Sequence, residues 1–119
     1  MSKPVNIMIA DDHSMVREGI KQLLELDGDI VVTSEASNGK QCIELLDENR
    51  TDVLLLDINM PLMNGLQVLQ YIREKRVKIK VLILTIHNEV EYLMRAVELG
   101  VDGYVLKDSD SSVLKKAQF

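Results

Sequence analysis

Four consecutive apolar residues, Val53-Leu54-Leu55-Leu56, run into the charged Asp57, and Pro61 and the pair Asn64-Gly65 follow soon after. A short apolar run bounded by such breakers reads as a strand buried on both faces, the kind found inside a parallel sheet. An aspartate at the carboxyl end of a central strand is costly, because its water is partly stripped away. Open α/β sheets place their ligand sites at that edge. Asp57 is therefore the first candidate for the working group.

The rest of the chain supplies partners for such a strand. Val5 to Ala10 is a short apolar strand ending at Asp11-Asp12. Val16, Ile20, Leu23 and Leu24 then fall on one helical face, predicting a helix over about 13–27 with Asp12 or Ser14 as cap and Gly28 as stop. Ile30 to Ala36 reads as a second strand, polar enough at Thr33, Ser34 and Glu35 for a sheet edge. Asn38-Gly39 reads as a turn before a helix marked by Cys42, Leu45 and Leu46. Leu66, Leu69 and Ile72 mark a third helix, and Lys80 to Leu84 a fourth strand ending on Thr85. Val90, Leu93, Met94 and Val97 define a fourth helix, with Leu93, Met94 and Val97 expected in the core and Gly100 as its cap. Gly103 to Leu106 gives a fifth strand ending on Lys107, and Ser109 or Asp110 opens a fifth helix through Val113 and Leu114. Strands alternating with helices on short connections argue an α/β fold, a parallel sheet with helices on both faces. Right-handed crossovers leave few strand orders open.

Composition narrows the function classes. The 119 residues suit one domain with one core. The net charge is −5, and no Lys/Arg cluster is dense enough to track a phosphate backbone, so direct nucleic-acid binding by this segment is not expected. The basic run Arg73, Lys75, Arg76, Lys78 and Lys80 is expected to complement a helix dipole and stay solvated. Cys42, the single cysteine, excludes an internal disulfide and reads as buried filler. No apolar run approaches membrane-spanning length, and a cytoplasmic location fits.

In a parallel sheet Asp11, Asp12, Asp57, Thr85 and Lys107 all come from strand ends on one edge. Three carboxylates in one cleft repel each other unless a cation sits among them. Hard oxygen ligands without thiolate point to Mg²⁺. A carboxylate beside Mg²⁺ is a competent nucleophile toward phosphorus, giving an acyl phosphate. Lys107 and Thr85 would stabilise the phosphoryl oxygens. His13 and His87 lie near the same edge, but no third soft ligand accompanies them as a metal pair.

Asp11-Asp12, Asp57, Thr85 and Lys107, with Met60-Pro61 and Gly65 behind the acceptor, resemble the receiver domain of bacterial two-component response regulators. The run Asp11-Asp12-His13, Val16-Arg17-Glu18-Gly19 and Leu106-Lys107-Asp108 is most similar to the NarL/LuxR-type subfamily. The resemblance covers essentially the whole chain and implies a flavodoxin-like (βα)5 fold with strand order 2-1-3-4-5. It implies Asp57 as acceptor of a phosphoryl group from a sensor histidine kinase. Asp12 and Asp57 would ligate Mg²⁺ through side chains, Asn59 through its backbone carbonyl, and Asp11 largely through water. Thr85 and Tyr104 would act as the switch pair, and the readout surface would be the fourth helix, fifth strand and fifth helix, with homodimerisation on phosphorylation.

Two departures from the family pattern stand out: Asp108 where proline often follows the lysine, and the branched Ile86 where a small residue often follows the threonine. The truncated fifth helix suggests that residues 1–119 are the N-terminal receiver of a longer regulator with a helix-turn-helix output; a stand-alone receiver is the alternative. A haloacid-dehalogenase-type phosphatase would carry an aspartate two residues after the nucleophile, where this chain has Asn59. A nucleotide- or flavin-binding module would want a Gly-rich loop after the first strand in place of Asp11-Asp12.

Overall fold

The computed structural model describes residues 4–26, 28–48, 50–85 and 90–106. Within them the order is β1 (Val5–Ala10), α1 (Ser14–Glu25), β2 (Ile30–Ala36), α2 (Gly39–Glu48), β3 (Val53–Asp57), α3 (Gly65–Lys75), β4 (Lys80–Thr85), α4 (Val90–Glu98) and β5 (Gly103–Leu106). All strand pairs are parallel and the sheet order is β2-β1-β3-β4-β5, as the resemblance implied. The five residues of β3 are all buried, as an apolar run at the centre of a doubly covered sheet requires. β2 lies at the edge, where Thr33 is exposed while Ser34 and Glu35 are half-buried, the Ser34 hydroxyl oxygen being shielded from water.

Strand alternation sorts the core into two layers. Ile7, Ile9, Val53, Leu55, Leu82 and Leu84 pack on one face with Ile20 and Leu24 of α1. Met8, Ala10, Leu54, Leu56, Val81 and Ile83 pack on the other with α2, α3 and α4. Register between β1 and β2 shifts at Ile7/Met8, leaving Thr33 as an extra residue in β2. Before this bulge Ile30 and Val32 face α1; after it Ala36 faces the opposite layer, so Glu35 now faces α1.

Several local expectations are corrected. The residue capping α1 is His13, which makes no side-chain capping bond, so neither Asp12 nor Ser14 serves. Asp12 is instead in contact with His13, whose ring also reaches Asp11. Asn38-Gly39 is a helix start and not a separate turn. The Asn38 carboxamide oxygen accepts the Gln41 N–H at 2.7 Å, and Gly39 opens α2. A Cβ at Gly39 would sit 2.0 Å from the Met63 carbonyl oxygen, so only glycine allows α2 to approach there.

The largest correction concerns α4. Ala96 is fully buried and Leu93 is partly buried against the core, whereas Met94 and Val97 are 58% and 54% exposed. The small Ala96 lets the helix approach the sheet, and the stronger apolar stripe is turned outward. Gly100 ends the helix as expected, with φ +85° and its N–H donating to Val97 at 3.0 Å. Arg73 is not simply solvated: its Nε donates to the Leu99 carbonyl at 2.8 Å and its other arm to Gly100. It thus satisfies the carbonyls at the end of α4, a helix other than its own.

Candidate functional site

Asp57 is the last residue of β3 and is buried. Its Oδ1 accepts the backbone N–H of Asn59 at 3.3 Å, so the turn after the strand orients the carboxylate. Behind it, Ile58 and Met60 are buried anchors in the core. Pro61, Leu62 and Met63 then lead to Asn64, which caps α3 reciprocally with Gln67: each backbone N–H donates to the other's side chain at 2.9 Å. The Gly65 N–H donates to the Ile58 carbonyl at 2.8 Å, locking the helix start against the strand end.

β1 and β3 are neighbours, with Ala10 paired to Leu56. The next residues, Asp11 and Asp57, therefore leave the sheet side by side. Asp11 is fully buried, and its Oδ1 accepts the His13 N–H at 2.9 Å. The His13 Nδ1 lies 3.1 Å from both Asp11 Oδ1 and Asp12 Oδ1. Asp12 lies at the rim. Ligand atoms of Asp11, Asp12, His13 and Asp57 all fall within 4.8 Å of one another. Three carboxylates at this spacing form a donor set that fits a hard divalent cation such as Mg²⁺, with Asp12 at the water-facing side where a cation would keep part of its hydration. His13 is the member that spacing alone set aside; its adjacency to the Asp pair was the available signal.

Thr85 is buried at the end of β4, one residue beyond the Asp57–Leu84 pairing, so it belongs to the same edge. Tyr104 on β5 is 52% exposed and pairs with Ile83 in the backbone ladder. Lys107, Ile86, His87, Asp108 and the expected fifth helix lie outside the described residues. Cys42 is buried filler, as expected: its Sγ lies 3.8 Å from Met8 Sδ, and burial pushes its thiol up to about 12.

The sequence pattern of the response regulator receiver domain matches residues 7–118. The chain belongs to the response regulator receiver domain family. The nitrate/nitrite response regulator protein NarL of Escherichia coli (strain K12) is 44% identical to this receiver over 115 residues, 97% of this chain and 53% of that protein. The transcriptional regulatory protein YdfI of Bacillus subtilis (strain 168) is 42% identical over 108 residues, 91% of this chain and 50% of that protein. Among solved structures, a DNA-binding response regulator of the LuxR family from Staphylococcus aureus superposes with a TM-score of 0.85 at 37% identity, covering 94% of this chain and 97% of that one. This is a NarL-type receiver, and the chain spans about half the length of the curated relatives it matches. Among the described residues no helix is long and apolar enough to cross a membrane.

Proposed function

We propose that Asp57 accepts a phosphoryl group from the phosphohistidine of a sensor kinase and that the receiver changes conformation in response. The observation that carries this reading is the buried Asp57 carboxylate at the end of the central strand, with the carboxylates of Asp11 and Asp12 within 4.8 Å. A carboxylate oxygen of Asp57 attacks phosphorus, the P–N bond to the kinase imidazole breaks, and an acyl phosphate forms. The Asn59 N–H on Oδ1 holds the nucleophile in place during attack. Asp12 and Asp57 side chains, the Asn59 carbonyl and, through water, Asp11 would hold Mg²⁺, which supplies charge neutralisation for the phosphoryl oxygens. Thr85 donates a hydrogen bond to those oxygens and Lys107 a positive charge. The domain promotes its own phosphorylation and hydrolysis through these groups and acts on no other substrate.

Occupancy of Asp57 draws Thr85 toward the phosphoryl group, and the exposed Tyr104 turns inward. The output face then includes α4 and β5, where Tyr92, Met94, Val97 and Tyr104 are exposed. Homodimerisation on phosphorylation would use such a face. The matched share of the relatives supports an output domain beyond the receiver. That domain is of the DNA-binding helix-turn-helix type, and the receiver, with its net charge of −5, makes no nucleic-acid contact itself. Asn59 in place of a second aspartate speaks against a haloacid-dehalogenase-type phosphatase. Intact mass after incubation with acetyl phosphate and Mg²⁺ tests the reading. One phosphoryl group is expected on the unmodified chain and none on Asp57→Asn; equal addition to both overturns it.

A further inference from the structure

Arg17 sits on α1, away from the strand ends, yet it reaches the backbone of the acidic cleft. Its Nη1 donates to the Asp11 carbonyl at 2.5 Å, and its Nε donates to Glu35 Oε1 at 3.2 Å. The side chain is only 17% exposed, so the guanidinium is substantially shielded, and Lys21 approaches the other Glu35 oxygen at 4.0 Å. The carbonyl that Arg17 holds belongs to the peptide joining Asp11 to Asp12. Rotation of that peptide plane would swing one carboxylate relative to the other, and the cluster with Asp57 depends on both.

Glu35 is available to Arg17 only because of the bulge in β2. Unbroken alternation from Ile30 and Val32 would point residue 34 at α1 and residue 35 at the opposite layer. The extra residue at Thr33 reverses this and turns Glu35 toward Arg17. Bulges often re-aim a side chain next to a functional site. On the other side, the Asp11 N–H donates to the Ala36 carbonyl at 3.0 Å, just past the bulge. The Asp11 backbone is therefore held from both sides by β2: its N–H by the end of the strand, its C=O by the arginine that the bulge-turned Glu35 orients.

We propose that Arg17, oriented by Glu35, is a positioning residue that fixes the Asp11–Asp12 peptide and so presets the carboxylate cluster for its divalent cation. This role rests on the cation site described under the proposed function. A charge-assisted bond of a shielded guanidinium to a carbonyl is stronger than a neutral one, and its planar fork grips two acceptors at fixed angles. Lysine offers the charge without the fork.

The test is Mg²⁺ titration followed by the backbone amide chemical shifts of residues 12, 57 and 59, alongside thermal melting without Mg²⁺. Arg17→Met is expected to raise the Mg²⁺ Kd about tenfold, the effect of losing one hydrogen bond from a charged donor. Arg17→Lys and Glu35→Gln are each expected to raise it about threefold, since each leaves one part of the arrangement in place. Arg73→Met is the structural control: it too removes an arginine from backbone carbonyls, here those at the end of α4, and should lower the melting temperature with Kd within about twofold. An Arg17→Met chain that folds and binds Mg²⁺ like the unmodified protein overturns the positioning role and leaves the cation site standing. Should Arg17→Met not fold, unchanged Kd in both Arg17→Lys and Glu35→Gln overturns it equally. Absence of any Mg²⁺-dependent shift in the unmodified protein overturns the cation site, and the positioning role with it.

Discussion

A Cβ atom placed on Gly65 would lie 2.2 Å from the Asp57 carbonyl oxygen, and 2.9 Å from the Cα of Ile58. Both neighbours are backbone at the end of the central strand, so neither yields as a flexible side chain would. The start of α3 thus presses directly on the Asp57 peptide, and the glycine is what lets it. Gly65→Ala is expected to cost about 2 kcal/mol in urea denaturation, as overpacking does, and to slow phosphorylation by acetyl phosphate because Asp57 must move. Unchanged stability and labelling rate together would show that the loop absorbs the methyl group without moving the strand end.

One residue earlier the outcome should differ. Asn64 caps α3 through its side chain and makes no contact with Asp57 among its described bonds. Asn64→Ala should lower unfolding free energy by about 1 kcal/mol, the usual worth of such a cap, with the rate of phosphorylation essentially unchanged. Denaturant melts and labelling kinetics on the same samples separate the two substitutions.

Among the described residues, two that are not glycine have left-handed backbone: Arg76 at φ +54° and Leu62 at φ +66°. Arg76 ends α3, its N–H donating to Arg73 and the Val77 N–H to Ile72, the arrangement in which glycine is favoured. Leu62 is 79% exposed, so its side chain contributes little packing. Arg76→Gly and Leu62→Gly should each raise stability by up to about 1 kcal/mol, read as a higher denaturation midpoint at unchanged slope.

Cys42 gives the fold a defined alkaline weakness. Burial raises its thiol from 9.0 to about 12, so between these values the unfolded chain has lost a proton that the folded chain keeps. The thiol's contribution is therefore full below pH 9 and falls as pH rises toward 12, by up to about 1.4 kcal/mol per pH unit. Cys42→Ala removes this term. The stability of the unmodified chain relative to Cys42→Ala should be constant at neutral pH and decline above pH 9, measured by urea melts across that range.

These local effects sort into what the sequence made visible and what it hid. The apolar run before Asp57 marked the central strand because a doubly buried strand needs no alternation, and the charges at successive strand ends marked one edge. The α4 face was misread because apolar spacing counts large residues. Burial there was decided by Ala96, whose small size allows close approach, while Met94 and Val97 stayed outside. Asn38-Gly39 was misread because the same pair that makes turns also starts helices when a neighbour, here Met63, demands a missing Cβ. Arg17 and Glu35 lie eighteen positions apart, and their pairing depends on a bulge that no local pattern announces. His13 was legible only as a neighbour of two aspartates.

The central claim is that the phosphoryl group resides on Asp57, and locating it by chemistry tests that most directly. The protein would be treated with acetyl phosphate and Mg²⁺, reduced with borohydride to convert the acyl phosphate to homoserine, and mapped by peptide mass spectrometry. Homoserine at position 57 alone is the expected result. Homoserine at position 11 or 12 in its place, or at none of the three, would contradict the assignment.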